Sequence, residues 1–198
     1  YLFARQYLEQ AGMTLAPVPV NQDGINVEEG RHRAPEARFA VITPTHQSPT
    51  GATLSLPGRL ALLAWANQQQ AWIIEDDYDS EFRYHGRPLP ALKSLDQGDR
   101  VIYAGTFSKV LYPGLKLAYL VVPAGLIEQF NTAVNYVSGP GAILLQATVA
   151  DFMRQGYFAR HLRKMRLLYA QRHGYLLAAI EKYLADDVYV NPQAGGIH

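Results

Sequence analysis

The chain has 198 residues, 48% of them hydrophobic and 18% charged, with a formal net charge of +1. That is enough apolar content to bury a core, and no global charge draws the chain to nucleic acid or a membrane surface. Cysteine is absent, which excludes disulfides, thiolate metal sites and cysteine nucleophiles and suits a reducing compartment.

The first residues follow a helical pattern (Leu2, Phe3, Tyr7, Leu8) that Gly12 closes. Residues 15–20 read as a short strand confined to a sheet edge by Pro17 and Pro19, and Asp23-Gly24 reads as a turn. An apolar strand over 39–43 runs into a Pro/Thr/Ser loop over 44–53. Ser55 then caps a helix with Pro57 in its first turn and Leu60, Leu63 and Ala64 on one face. Residues 71–74 predict a strand ending in the acidic run Glu75-Asp76-Asp77, and further strands are expected over 100–105 and 117–122. From Ala124 the pattern is helical, broken at Gly139-Pro140-Gly141 and at Gly156. The stretch 157–184 alternates basic residues with Leu and Tyr at helical spacing, and Val188-Tyr189-Val190 starts a second layer. The longest apolar runs, 60–66 and 117–123, fall well short of the roughly 20 residues a membrane-spanning helix needs. No signal-peptide pattern is present. A start inside a helix and a stop at Gly195-Gly196-Ile197-His198, where a strand is due, predict a piece of a longer polypeptide.

Strands that are apolar on both faces and separated by helices imply an α/β fold, a mainly parallel sheet between helical layers. Such sheets bind ligands at the carboxyl ends of their strands, and the polar clusters at Thr43, Asp76 and Thr106 fall there. Singly these clusters are weak signals: an acidic run after a strand is more often a solvated turn, and a lone lysine a surface lysine. Asp76, Asp77 and Asp79 also admit a magnesium reading, which Tyr78 and the lysine pattern that follows disfavour. The series Arg160, Arg163, Lys164, Arg166 and Arg172 reads as the solvated face of a long helix, and Trp65 and Trp72 as core. His46 reads as a hydrogen-bonding loop residue. With no cysteine and no G-x-S-x-G, a hydrolase has no nucleophile to work with.

Taken together, the clusters hold every residue type that a pyridoxal 5'-phosphate (PLP) site requires. These are an amine for a Schiff base (Lys109), a carboxylate for the pyridine nitrogen (Asp76), a donor for the phenolate oxygen (Tyr78), and hydroxyls with a cation for the phosphate (Thr106, Ser108, Lys116). The segments VITPTHQSPTG, EDDYDSEFRY and GTFSK closely resemble the aminotransferase-like domain of MocR-type regulators in the GntR superfamily. They resemble class I aminotransferases more distantly. The likeness runs over 39–123 and more loosely over the whole chain.

The resemblance implies the three-layer large domain of a fold-type-I aminotransferase over 1–155, its N-terminal part missing. Residues 156–198 would be a long connecting helix and the start of a small C-terminal α+β domain. It implies PLP as cofactor and Lys109 as the catalytic, Schiff-base lysine. Asp76 would hold the pyridine nitrogen, Tyr78 would lie near the phenolate oxygen, and Thr106 and Ser108 would bind phosphate. Lys116, in PGLK, stands where the family usually has an arginine; the charge is kept but the bidentate fork is lost. Ser48 stands where ordinary aminotransferases have an asparagine. The glycine/serine loop of the phosphate cup would precede Tyr1, and the arginine for a substrate carboxylate would follow His198.

The implied function is that of a cytoplasmic, homodimeric effector domain that senses an amino compound by aldimine exchange at Lys109. DNA would be contacted only by a winged-helix domain absent from this chain. The alternative is a free-standing class I/II aminotransferase in which Lys109 also moves the α-proton. The wording HQxPTG and EDDYDSEFRY favours the regulator, and the residues leave transamination turnover open.

Overall fold

The computed structural model describes residues 2–86, 89–139, 141–185, 187–190 and 193–197. Helix α1 (Leu2–Gln10) is followed by a two-stranded hairpin of β1 (Val20–Asn21) and β2 (Gly24–Ile25), then by α2 (Val27–Arg33). The edge strand expected over 15–20 is thus only a hairpin arm, with Asn21 Oδ1 accepting from the Asp23 amide at 2.9 Å. The prolines deny this stretch the amide donors that a longer strand needs.

The central sheet has four strands in the order β3 (Phe39–Ile42), β4 (Trp72–Asp77), β5 (Val101–Thr106), β6 (Ala118–Val121). The first three are parallel and β6 runs antiparallel to β5. Helix α3 (Leu56–Gln69) begins as expected, Ser55 Oγ accepting from the Gly58 amide at 3.4 Å with Pro57 in the first turn. Its buried face is Leu62, Leu63, Trp65 and Ala66, which pack with Ile42, Ile73 and Val101. Leu60, expected on that face, is 53% exposed. Trp65 is core, whereas Trp72 is half-buried with the Arg100 guanidinium 5.1 Å above its ring.

Beyond β5 come the single turn α4 (Phe107–Val110), then α5 (Ile127–Ser138), α6 (Ile143–Arg154) and the long α7 (Tyr157–Leu184). Pro140, one of the expected break residues, lies outside the described residues. Phe82, Val110 and Leu162 form a second buried cluster that seats α7 on the loops beyond β4 and β5. His161 Nε2 lies 2.9 Å from the Val110 carbonyl. Arg160, Arg163, Lys164 and Arg172 are exposed, as the solvated-face reading required. Arg166 is exposed too, but its Nε donates to the Glu81 carbonyl. Val188–Val190 forms no strand; instead Gly195 makes an isolated antiparallel bridge to Arg83, next to Phe82 of the second cluster.

Candidate functional site

Strand β4 carries the acidic run within it rather than after it. Ile73, Glu75 and Asp77 are buried, while Trp72, Ile74 and Asp76 are half-buried. Because strand side chains alternate, Asp76 and Tyr78 leave on one face and Asp77 on the other. Asp77 is spent on structure: its Oδ2 accepts from Tyr103 Oη at 2.8 Å and Ser80 Oγ at 2.7 Å. The three aspartates therefore do not converge, and among the described residues no group of His, Cys, Asp and Glu is arranged to hold a metal ion.

Asp76 pairs in register with Ala104 of β5. Among the described residues that carboxylate takes part in no hydrogen bond or ion pair. Burial pushes its pKa above the ordinary carboxylate range, and the nearby Asp77 and Asp79 charges add to the rise. A half-buried acid with no hydrogen bond among the described residues suits a ligand that brings its own positive N–H. Burial likewise raises the Tyr78 phenol, with the Asp79, Asp76 and Asp77 charges contributing. It stays a neutral donor and gives its proton to the His46 carbonyl at 2.9 Å.

The remaining expected residues gather at one turn. Thr106 ends β5 and caps α4, its Oγ1 accepting from the Ser108 amide at 3.1 Å and donating to the Leu117 carbonyl at 3.4 Å. The Phe107 amide donates to the same carbonyl at 2.9 Å. Leu117 follows Lys116, so this shared carbonyl brings Lys116 alongside the Thr106–Ser108 turn. Lys116 adopts the left-handed conformation (φ 46°, ψ 38°), a strained choice for a non-glycine residue costing about 1 kcal/mol. Val110 is buried at 2% exposure and anchors the turn, while Lys109 beside it is exposed. Among the described residues Lys109 Nζ makes no hydrogen bond or ion pair.

The residue types fit pyridoxal phosphate: an amine and a carboxylate that make no hydrogen bond among the described residues, a neutral phenol, and hydroxyls at a helix start with Lys116 one residue before the carbonyl that Thr106 donates to. Two features were not legible beforehand. Asp79 is buried and accepts from His46 Nδ1 at 2.9 Å, a pairing across 33 positions that no local pattern signals. Arg59 is 2% exposed and clamps three carbonyls; a charge inside the apolar run LPGRLALLAWA was its only sign.

Residues 1–197 match the family described as aminotransferase class I and II. The probable rhizopine catabolism regulatory protein MocR of Rhizobium meliloti is 42% identical over 197 residues, covering 100% of this chain and 40% of that protein. The pyridoxine biosynthesis transcriptional regulator PdxR of Corynebacterium glutamicum, an HTH-type protein, is 32% identical over 200 residues, with 100% and 42% coverage. Among solved structures, Pyrococcus horikoshii kynurenine aminotransferase, determined with PMP, superposes with a TM-score of 0.90 at 29% identity. That match covers 99% of this chain and 50% of the other. The α-aminoadipate aminotransferase LysN of Thermus thermophilus, complexed with N-(5'-phosphopyridoxyl)-L-leucine, gives 0.88 at 27% identity, covering 99% and 51%. The chain spans about two fifths of the curated regulators it matches, and the fold is that of the PLP fold-type-I aminotransferases.

Proposed function

Because this chain belongs to the class I and II aminotransferase family, we propose that it forms the PLP-binding effector region of a MocR-type transcriptional regulator, with Lys109 as the covalent attachment point. The observation that supports the reading is the turn at the end of β5, where Thr106 caps the helix carrying Ser108 and Lys109 and also donates to the carbonyl of Leu117, the residue after Lys116, while Asp76 on the neighbouring β4 is in register with Ala104.

When bound, PLP supplies an aldehyde carbon that amines can exchange on and a ring that withdraws electrons. The chain's own residues do the rest. Lys109 Nζ provides the amine. Asp76 keeps a proton on the pyridine nitrogen, and that cation in turn relieves the burial penalty on its carboxylate. Tyr78 Oη donates to the phenolate oxygen, and the Thr106 and Ser108 hydroxyls with the Lys116 ammonium hold the phosphate. DNA contact is assigned to a helix-turn-helix domain elsewhere in the polypeptide, as the HTH-type relatives suggest. Among the described residues no helix is long and apolar enough to cross a membrane, and a DNA-regulating role places the protein in the cytoplasm. Exposed Tyr136, Val137, Ile143 and Leu144 at the α5–α6 junction support a homodimer.

The test uses the intact polypeptide loaded with PLP. Titration with primary amino compounds should change operator affinity by roughly 5- to 150-fold, the usual range of an allosteric coupling, and Lys109→Ala should remove that response. The free-standing aminotransferase reading rests on the close superposition with kynurenine aminotransferase. Multiple turnovers of an amino donor with a keto acid, and no operator response, would favour it. Lys116→Arg restores the planar fork and should tighten PLP binding about threefold to tenfold, measured by fluorescence titration; an unchanged affinity would remove Lys116 from the phosphate site.

A further inference from the structure

We infer that His161, on α7, is a positioning residue for Lys109: its Nε2–H holds the Val110 carbonyl and so fixes the C-terminal end of the single turn that carries the lysine. The inference rests on the cofactor reading above. Helix α4 has only four residues, closed by one bond from the Leu111 amide to the Phe107 carbonyl at 2.9 Å. A helix this short does not hold itself in water, because nucleation fixes several residues for a single bond. Its shape is imposed from outside. At its start Thr106 Oγ1 accepts from the Ser108 amide, and the Phe107 amide donates to the Leu117 carbonyl. At its end the Val110 carbonyl meets His161 Nε2 at 2.9 Å, and no backbone amide among the described residues donates to that carbonyl. Lys109 lies between these two sets of ties.

His161 stands in an otherwise apolar seam. Phe158, Leu162, Met165 and Tyr169 run along one face of α7 and pack on the cluster of Phe82 and Val110, with the Phe158 ring edge-on to Phe107 at 6.0 Å. Position 161 belongs to that face by helical spacing and is half-buried. An apolar residue there would extend the seam but take the donor from the carbonyl of a residue that is 2% exposed. A carbonyl only accepts, so Nε2 carries a hydrogen whether the ring is neutral or protonated. The exposed Lys109 side chain is a flexible stem, and its backbone turn is the part that the fold can hold. Holding both ends of the turn removes in advance the disorder that covalent capture of Nζ must otherwise remove. When a primary amine displaces Lys109, the double bond from the cofactor carbon to Nζ breaks, one to the incoming nitrogen forms, and two protons pass from that nitrogen to Nζ. A turn freed at its C-terminal end gains more from that release. Loss of the His161 tie therefore shifts exchange away from Lys109, by about threefold to tenfold for one neutral hydrogen bond.

The experiment titrates the PLP-loaded intact polypeptide with methylamine and reads the exchange constant from the visible band. Tm and, in the cofactor-free intact protein, amide exchange at Leu111 are followed in parallel. His161→Leu should raise the exchange constant about threefold to tenfold and speed exchange at Leu111. His161→Gln, whose side-chain amide can donate in place of Nε2, should stay within about twofold of wild type on both. Tyr169→Ala loosens α7 from Phe82, 5.1 Å away between ring centroids, and should lower Tm while leaving both readouts unmoved. Nitrogen-15 NMR of the histidine-labelled wild type keeps the test open if His161→Leu does not fold. A proton on Nε2 is expected, and a His161 ring protonated on Nδ1 alone overturns the tie. A folded His161→Leu with the wild-type exchange constant, or a Tyr169→Ala that moves it equally far, overturns the positioning role alone. A wild type with no visible band overturns it together with the cofactor reading.

Discussion

Asp76→Asn is expected to weaken PLP binding by roughly a hundredfold, the scale of a lost charge-assisted hydrogen bond in a partly buried site, and at the same time to raise the Tm of the cofactor-free protein at neutral pH. The two effects have one cause. The Asp76 carboxyl is half-buried in register with Ala104, makes no hydrogen bond among the described residues, and has its pKa raised mainly by burial. An acid that titrates higher in the folded chain than in the unfolded one is penalised when ionised. Its contribution to stability is fully present below the unfolded pKa and is lost as pH rises through the folded value. Asparagine does not ionise, so the stability gained by Asp76→Asn should be largest at neutral pH and shrink as pH falls through the acid range. Differential scanning fluorimetry across that range reads it directly. A variant less stable than wild type by the same amount at every pH would mean that Asp76 is a structural partner instead of a waiting ligand.

Arg59→Met should destabilise the protein by about 3–5 kcal/mol, the usual consequence of removing one side of a buried charge system. Arg59 donates Nε to the Leu54 carbonyl at 2.9 Å, Nη1 to Pro90 at 2.7 Å and Nη2 to Pro44 at 3.0 Å. Burial lowers its pKa, while the Glu75 and Asp77 charges oppose that shift. Glu75, fully buried, accepts the Leu92 and Lys93 amides at 2.6 and 2.8 Å. Methionine fills the volume but takes the guanidinium donors from the Leu54 and Pro90 carbonyls, leaves Pro44 with only the Leu54 amide, and leaves the negative charge below the sheet uncompensated. Two of those carbonyls bound the loop that carries His46, so the same change should also loosen the cofactor edge. Urea unfolding would show the loss as a lower midpoint at an unchanged slope, and Glu75→Gln in the Arg59→Met background should recover part of it. A loss under 1 kcal/mol would show that water satisfies these groups.

The parallel sheet, the cap of α3 and the turn holding Thr106, Ser108 and Lys109 could be read from local patterns, because each depends on neighbours in sequence: apolar runs, Ser55 with Pro57, and a polar stop after an apolar strand. The extent of β4 could not. Acidic residues usually end a strand, yet here Glu75 is kept inside by two amides and Asp77 by Tyr103 and Ser80, partners supplied by tertiary structure. The buried face of α3 was misjudged in phase for a related reason. The helix is apolar on most sides, and only contact with Ile42, Ile73 and Val101 selects Leu62 and Leu63 over Leu60. The His46–Asp79–Ile197 link joins segments 33 and 118 residues apart, beyond the reach of any periodicity.

The central claim is that Lys109 Nζ is the point of covalent attachment. Borohydride reduction of the PLP-loaded intact protein, followed by peptide mapping, tests it most directly. The account predicts a phosphopyridoxyl group on the peptide containing Lys109 and none in Lys109→Ala. A label on another lysine, or one that survives in the alanine variant, would contradict it.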